Sequence, residues 1–157
     1  MNAVPQPLEQ STPFVQAAPT GRSVVLAEGP AWQAFQVLHW AFVVLAFTIG
    51  ADKFFDVLAP WGEYLAPIIP DLLGAAPTRI MHTVGAIEIL IGLVVAFAPR
   101  LGGWLFAAWL WAMAANLLLV PGHGAMAVRD IVISFGAVAL ARLATQYQDA
   151  VEPARRR

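Results

Sequence analysis

The chain has no cysteine among its 157 residues. That excludes a disulfide framework, a thiol nucleophile and any cysteine-ligated metal or iron–sulfur centre built by this chain alone, while leaving a partner free to carry one. Charge is scarce too: 12% of residues are charged and the formal net charge is -1, which leaves no electrostatic footprint for nucleic acid. Regular alternation of apolar and polar residues is missing, so a membrane β-barrel does not fit; runs such as FVVLAF and ILIGLVVAF are continuous. The N-terminal segment lacks both an early basic cluster and an apolar core. It carries Pro5, Pro7, Pro13 and Pro19, and reads as a disordered polar tail rather than a secretory signal.

What is abundant is apolar surface, at 59% hydrophobic residues and a mean hydropathy of +0.68. Four stretches approach the roughly 20 residues that a helix needs to cross hydrocarbon, and they predict helices over about 32–58, 80–98, 103–120 and 126–146. A soluble bundle is a poor alternative, because helices that are apolar on nearly every side need lipid around them. The fold expected is therefore all-α, an integral membrane four-helix bundle over 30–147 with antiparallel up-and-down topology. A disordered cytoplasmic tail over 1–29 and a polar, basic tail over 148–157 flank it. Pro30 suits the first turn of the first helix. Pro60, Pro67, Pro70 and Pro77 prevent one regular helix between the first two spans, and WGEYLAPII reads either as a short helix at or partly within the bundle or as an irregular loop. Gly102 and Gly103, beside Pro99 and Arg100, read as a tight turn, and PGHGAM as another short connection.

Basic residues orient the bundle. Arg22, Arg100, Arg142 and Arg155 to Arg157 fall at one end. Taking that end as cytoplasmic places both termini inside a bacterial inner membrane, with the proline-rich segment and the PGHG turn extracytoplasmic.

Charge at membrane depth is costly and normally faces a bundle interior, a partner or a water-filled cavity. Asp52, Lys53 and Asp56 lie near the end of the first span and Glu88 in the middle of the second. At about 1.5 Å per residue, Glu88 is roughly 12 Å from the start of its span. Asn116 is somewhat shallower, and Arg79, His82, His123, Arg129 and Asp130 with Asp56 form a shallower ring on the same side. Gly85 and Gly92 share a face with Glu88, while Ser134, Ala137 and Ala141 share one with Asp130, so small residues mark where helices approach.

Three readings of these groups stand. In one, Glu88, Asn116 and Lys53 or Asp52 bind the polar head of a lipophilic ligand such as a quinone, and His82, His123 or Asp130 moves protons to it. In the second, Lys53 pairs with Glu88, Asn116 bonds a neighbouring backbone, Arg129 holds Asp56 or Asp130, and Arg79 joins the ion pairs, all to fix helix order in an anchor or assembly subunit. In the third, carboxylates line a route for protons or small solutes, which four helices could serve only with a second copy or a partner. No catalytic residue is assigned and no metal site is expected, since nothing like HExxH or Glu-x-x-His is present. His39 falls at the opposite end from His82 and His123 and reads as an interhelical hydrogen-bonding residue.

The segments FTIGADKFF (47–55), HTVGAIEILIGLVVAF (82–97) and NLLLVPGHGAMAVRDIVISFGA (116–137) resemble the DoxX-like family of small four-helix bacterial membrane proteins. The likeness covers most of residues 35–145. It implies a subunit associated with redox complexes, including a quinone-linked thiosulfate oxidoreductase and oxidative-stress assemblies. It marks Gly50, Lys53, Phe54, Gly85, Glu88, Gly92, Asn116 and Asp130 as family-like positions. The proline-rich segment is longer and more aromatic than in the simplest members. The expectation is a structural or assembly component of a redox-associated membrane complex rather than an enzyme on its own. Lipid surrounds it, a redox subunit or a second copy is its partner, and quinone is the cofactor to test.

Overall fold

The computed structural model describes residues 29–155, with side-chain surroundings defined for 29–147. The N-terminal tail expected before Gly29, and the last two arginines of the basic C-terminal end, lie outside the described residues. Among the described residues the secondary structure is entirely helical. Helix α1 runs Pro30–Asp52, a 3-10 turn follows at Trp61–Tyr64, then α2 at Ile68–Leu73, α3 at Pro77–Phe97, α4 at Pro99–Leu118 and α5 at Gly124–Arg155. Four of these, α1, α3, α4 and the Gly124–Tyr147 part of α5, are long and apolar enough to cross a bilayer, the pattern of a multi-pass membrane protein.

Local chemistry sets the helix starts. Helices α1, α3 and α4 each open with a proline in the first turn, where its missing N–H has no intrahelical partner to lose and its fixed φ suits the helix. Starting at Pro99, α4 takes in Gly102 and Gly103, which corrects the turn expected there; Ala98 alone links it to α3. The two glycines serve packing instead. A Cβ on Gly102 would collide with the Val95 backbone, and one on Gly103 would sit 2.8 Å from the Ala137 carbonyl.

Two helix ends also differ from the pattern. Helix α1 stops at Asp52 rather than near 58, because the Asp52 carboxylate accepts the backbone N–H groups of Val57 at 3.1 Å and Leu58 at 3.0 Å and so holds a turn. Asp56 therefore lies outside the helix, at a φ of 52°. Helix α5 continues past 146 through part of the segment expected as a tail, since no glycine or proline interrupts it between Gly136 and Pro153. The proline-rich segment is made of short pieces, as its prolines require. Gly74, at φ 59°, ends α2 in the left-handed conformation.

The long helices form a ring: α1 packs on α3, α3 on α4, α4 most extensively on α5, and α5 back on α1. The start of α4 meets the middle of α5 through Gly103, Ala137 and Ala141, and its end meets the start of α5 through Ala114, Leu117 and Ala127. One end of the ring is a solid apolar core around Phe35, Phe42, Val95, Phe106, Leu140 and Tyr147. His39 reinforces it, with Nε2 3.0 Å from the Val95 carbonyl. That carbonyl would ordinarily accept the N–H four residues on, but residue 99 is proline, so the His39 ring supplies the donor and Nε2 must carry the proton. The buried charged side chains, Asp52, Lys53, Glu88 and Asp130, gather at the other end.

Candidate functional site

The site begins with a glycine crossing. A Cβ on Gly85 would lie 2.5 Å from the Gly50 carbonyl, so α1 and α3 touch backbone to backbone, and Gly92 seats Ala46 further along the same seam. Lys53 Cβ lies over Gly85 and Glu88 Cβ over Gly50, each glycine making room for the charged stem of the other helix. Lys53 Nζ then donates to Glu88 Oε2 at 2.7 Å, with the two side chains 4% and 10% exposed. Such a pair is sound only where the remaining polar atoms are also partnered. They are: the Trp109 indole donates to Glu88 Oε1 at 3.3 Å, and Lys53 Nζ lies 4.0 Å over the Trp61 ring. The Trp61 indole in turn donates to Asp52 Oδ2 at 2.6 Å. A chain of contacts thus runs from Asp52 through Trp61, Lys53 and Glu88 to Trp109, joining α1, the connecting segment, α3 and α4.

Asn116 is engaged by the connecting segment. Its Nδ2 donates to the Tyr64 carbonyl at 2.6 Å and its Oδ1 accepts the Ala66 N–H at 2.9 Å. Leu65 and Ala66 are buried as a result, so the segment dips into this end of the ring. Asp130 is buried and receives the guanidinium of its exposed neighbour Arg129 at 3.0 Å.

Between these groups lies a cavity of about 230 Å³. Its polar wall carries Lys53, Glu88, Trp61, Tyr64, Trp109 and Asp130, and its apolar wall includes Ile49, Phe106, Leu110 and Leu117. All four long helices and the connecting segment contribute. Hydrogen-bond donors (an ammonium and an indole) and an acceptor carboxylate therefore meet in one slot whose charges cancel: Lys53 with Glu88, Arg129 with Asp130. An arrangement of this kind can hold a small neutral head bearing carbonyl or hydroxyl groups, and can exchange a proton with it.

Other expected residues fall elsewhere. His82 stacks on Phe54 with ring centres 5.0 Å apart and does not border the cavity. His123 forms an outer layer, edge-on to Tyr64 at 5.0 Å and with Nδ1 3.0 Å from the Pro121 carbonyl. Two ion-pair expectations need correction. Asp56, displaced from α1 by the early helix end, is exposed and accepts the Trp61 N–H at 3.2 Å. Arg79 is exposed at the start of α3 and has no ion-pair partner among the described residues, because no carboxylate comes within reach. Ser134 is buried and satisfies itself by donating to the Ile131 carbonyl at 2.6 Å, while Ala137 packs on Gly103. Among the described residues, no three His, Asp or Glu side chains cluster as a metal site would need.

Sequence reasoning overlooked the aromatic members. Trp109 reads as an interface anchor, yet it stands seven residues before Asn116 and so on the same helical face, a signal that was available. Trp61 and Tyr64 carried none, because their place depends on how the segment folds back. Comparison with protein-family models, with curated proteins and with solved structures gave no match.

Proposed function

We propose that this chain is a small subunit of a bacterial inner membrane, an up-and-down four-helix bundle, which binds the polar head of a lipophilic ligand of the quinone class. One observation carries this reading: the cavity of about 230 Å³ with a charge-balanced polar wall drawn from α3, α4, α5 and the segment that follows α1, and an apolar wall opposite. The likeness to DoxX-like proteins implies a subunit associated with redox complexes, which fits this reading and the assembly reading equally. With the basic end cytoplasmic, the cavity lies in the extracytoplasmic half and the proline-rich segment covers it.

In this reading Lys53 and the Trp109 indole donate to a head-group carbonyl, and Glu88 accepts from the hydroxyl of the reduced form. Asp52 and Trp61 hold the Lys53 ammonium in place. A role as a structural or assembly component is the second reading. It is favoured by the absence of any unpartnered buried side-chain N or O atom among the described residues, so that the network is complete without a ligand.

The test is a titration of the purified protein in nanodiscs with a tailless benzoquinone, followed by quenching of tryptophan fluorescence. Saturable quenching that is weakened by Glu88→Gln and abolished by the cavity-filling Leu110→Trp is expected. Quenching that rises linearly in both wild type and Leu110→Trp would overturn the ligand reading and leave the assembly role.

A further inference from the structure

A second void lies against the first. It is a groove of about 440 Å³ among α2, α3 and α4, and its walls are mostly apolar, Ile69, Leu73, Ile80 and Ile87 among them, with Arg79, Thr83 and Asn116 as the polar members. Thr83 and Ala112, on its border, are exposed on the outer surface of the ring, which in a bilayer is the lipid-facing side. Met81, Val84, Met113 and Asn116 border both the groove and the cavity, so one layer of side chains separates the two. Two of those four are methionines, unbranched and adaptable enough to let a chain pass between them.

We propose that the groove takes the hydrocarbon tail of the ligand whose head occupies the cavity, and that this ligand reaches the cavity sideways from the bilayer between α3 and α4. The inference rests on the ligand reading above and narrows it to a class: a membrane lipid with a small, uncharged ring as its head and one long alkyl or isoprenoid tail. Head charge follows from the cavity, where Lys53 is matched by Glu88 and Arg129 by Asp130, leaving no net charge to recruit an anionic headgroup. Tail character follows from the groove, which offers aliphatic walls, the Thr83 hydroxyl and, at its rim, the exposed Arg79. A tail leaving lipid for this groove gains little from the hydrophobic effect, since both surroundings are equally apolar. The groove therefore selects and orients the ligand, and Met81 and Met113 determine which tail widths fit through the neck.

The test uses two probes on the intact chain in nanodiscs: a benzoquinone bearing a decyl tail with a photoreactive diazirine at its end, and the same ring without a tail. The expected result is saturable labelling of Ile69, Leu73, Thr83, Ile87 or Ala112, removed by excess tailless compound. Ala112→Trp, at an exposed position that leaves the bundle's packing alone, should lose affinity for the tailed probe and keep it for the tailless one. Labelling spread over the outer faces of α1 and α5, with tailless binding intact, would overturn the placement of the tail and leave the head site standing. Groove labelling that the tailless ring does not compete would mean an ordinary lipid site, and would overturn the link between the two voids. Saturable binding of neither probe would overturn both this inference and the reading on which it rests.

Discussion

Replacing Lys53 with methionine keeps an unbranched side chain but removes the ammonium 2.7 Å from Glu88 Oε2. At that separation and an effective dielectric of about 20, the direct attraction is on the order of 6 kcal/mol, most of it offset by the cost of taking both charges out of water. The single substitution forfeits the attraction without recovering that cost for Glu88, whose remaining side-chain partner is the Trp109 indole at 3.3 Å. Removing one member of a buried pair typically costs about 3–5 kcal/mol, whereas interhelical polar contacts in membranes average nearer ~0.6 because the unfolded chain also finds partners in lipid. We therefore expect a loss of about 3 kcal/mol for Lys53→Met in the wild-type background. In a Glu88→Gln background no charge is left stranded, and the same change should cost about 1 kcal/mol, leaving a coupling of about 2 kcal/mol. Reversible unfolding of the four proteins in mixed micelles, each by graded denaturing detergent, measures this directly. Losses that add to within about 0.5 kcal/mol would refute a direct pair, and with it the polar wall of the cavity.

Gly85→Ala should destabilise the bundle by about 1–3 kcal/mol, because the new methyl meets the Gly50 backbone rather than a flexible side chain; Gly62→Ala, with open space around it, is the thermal-unfolding control. Asn116→Leu removes both bonds to the Tyr64 and Ala66 backbone, a loss of about 1–3 kcal/mol in total, and should speed amide hydrogen exchange over 61–75 while sparing α5. His39→Phe keeps the ring stacked near Phe35 but orphans the Val95 carbonyl, which should cost about 1–3 kcal/mol in the same unfolding assay; equal stability would mean that carbonyl has found water.

Parts of this architecture were legible along the chain for physical reasons. Spans show themselves because bilayer thickness sets their length, and the break after α1 shows itself because four prolines cannot lie in one helix. Lys53, Glu88, Asn116 and Asp130 could be singled out because a polar group at membrane depth needs a reason to be there. Gly102 and Gly103 misled, since a glycine pair beside a proline looks the same whether it makes a turn or lets two helices approach. Asp52 misled as well: its role in ending α1 depends on where Val57, Leu58 and Trp61 come to lie, which apolar content does not encode.

What the sequence determined by itself is what depends on near neighbours and on the solvent: four apolar helices, their proline starts, the segmented connection and the rarity of charge. The tertiary structure alone decided which polar groups meet. Glu88 and Trp109 stand 21 residues apart, Lys53 and Glu88 35, and Tyr64 and Asn116 52. Each of those meetings depends on helix crossings such as Gly50 against Gly85, where contact between two backbones brings distant side chains into one cavity. A crossing of that kind belongs to pairs of helices, so no local pattern could contain it.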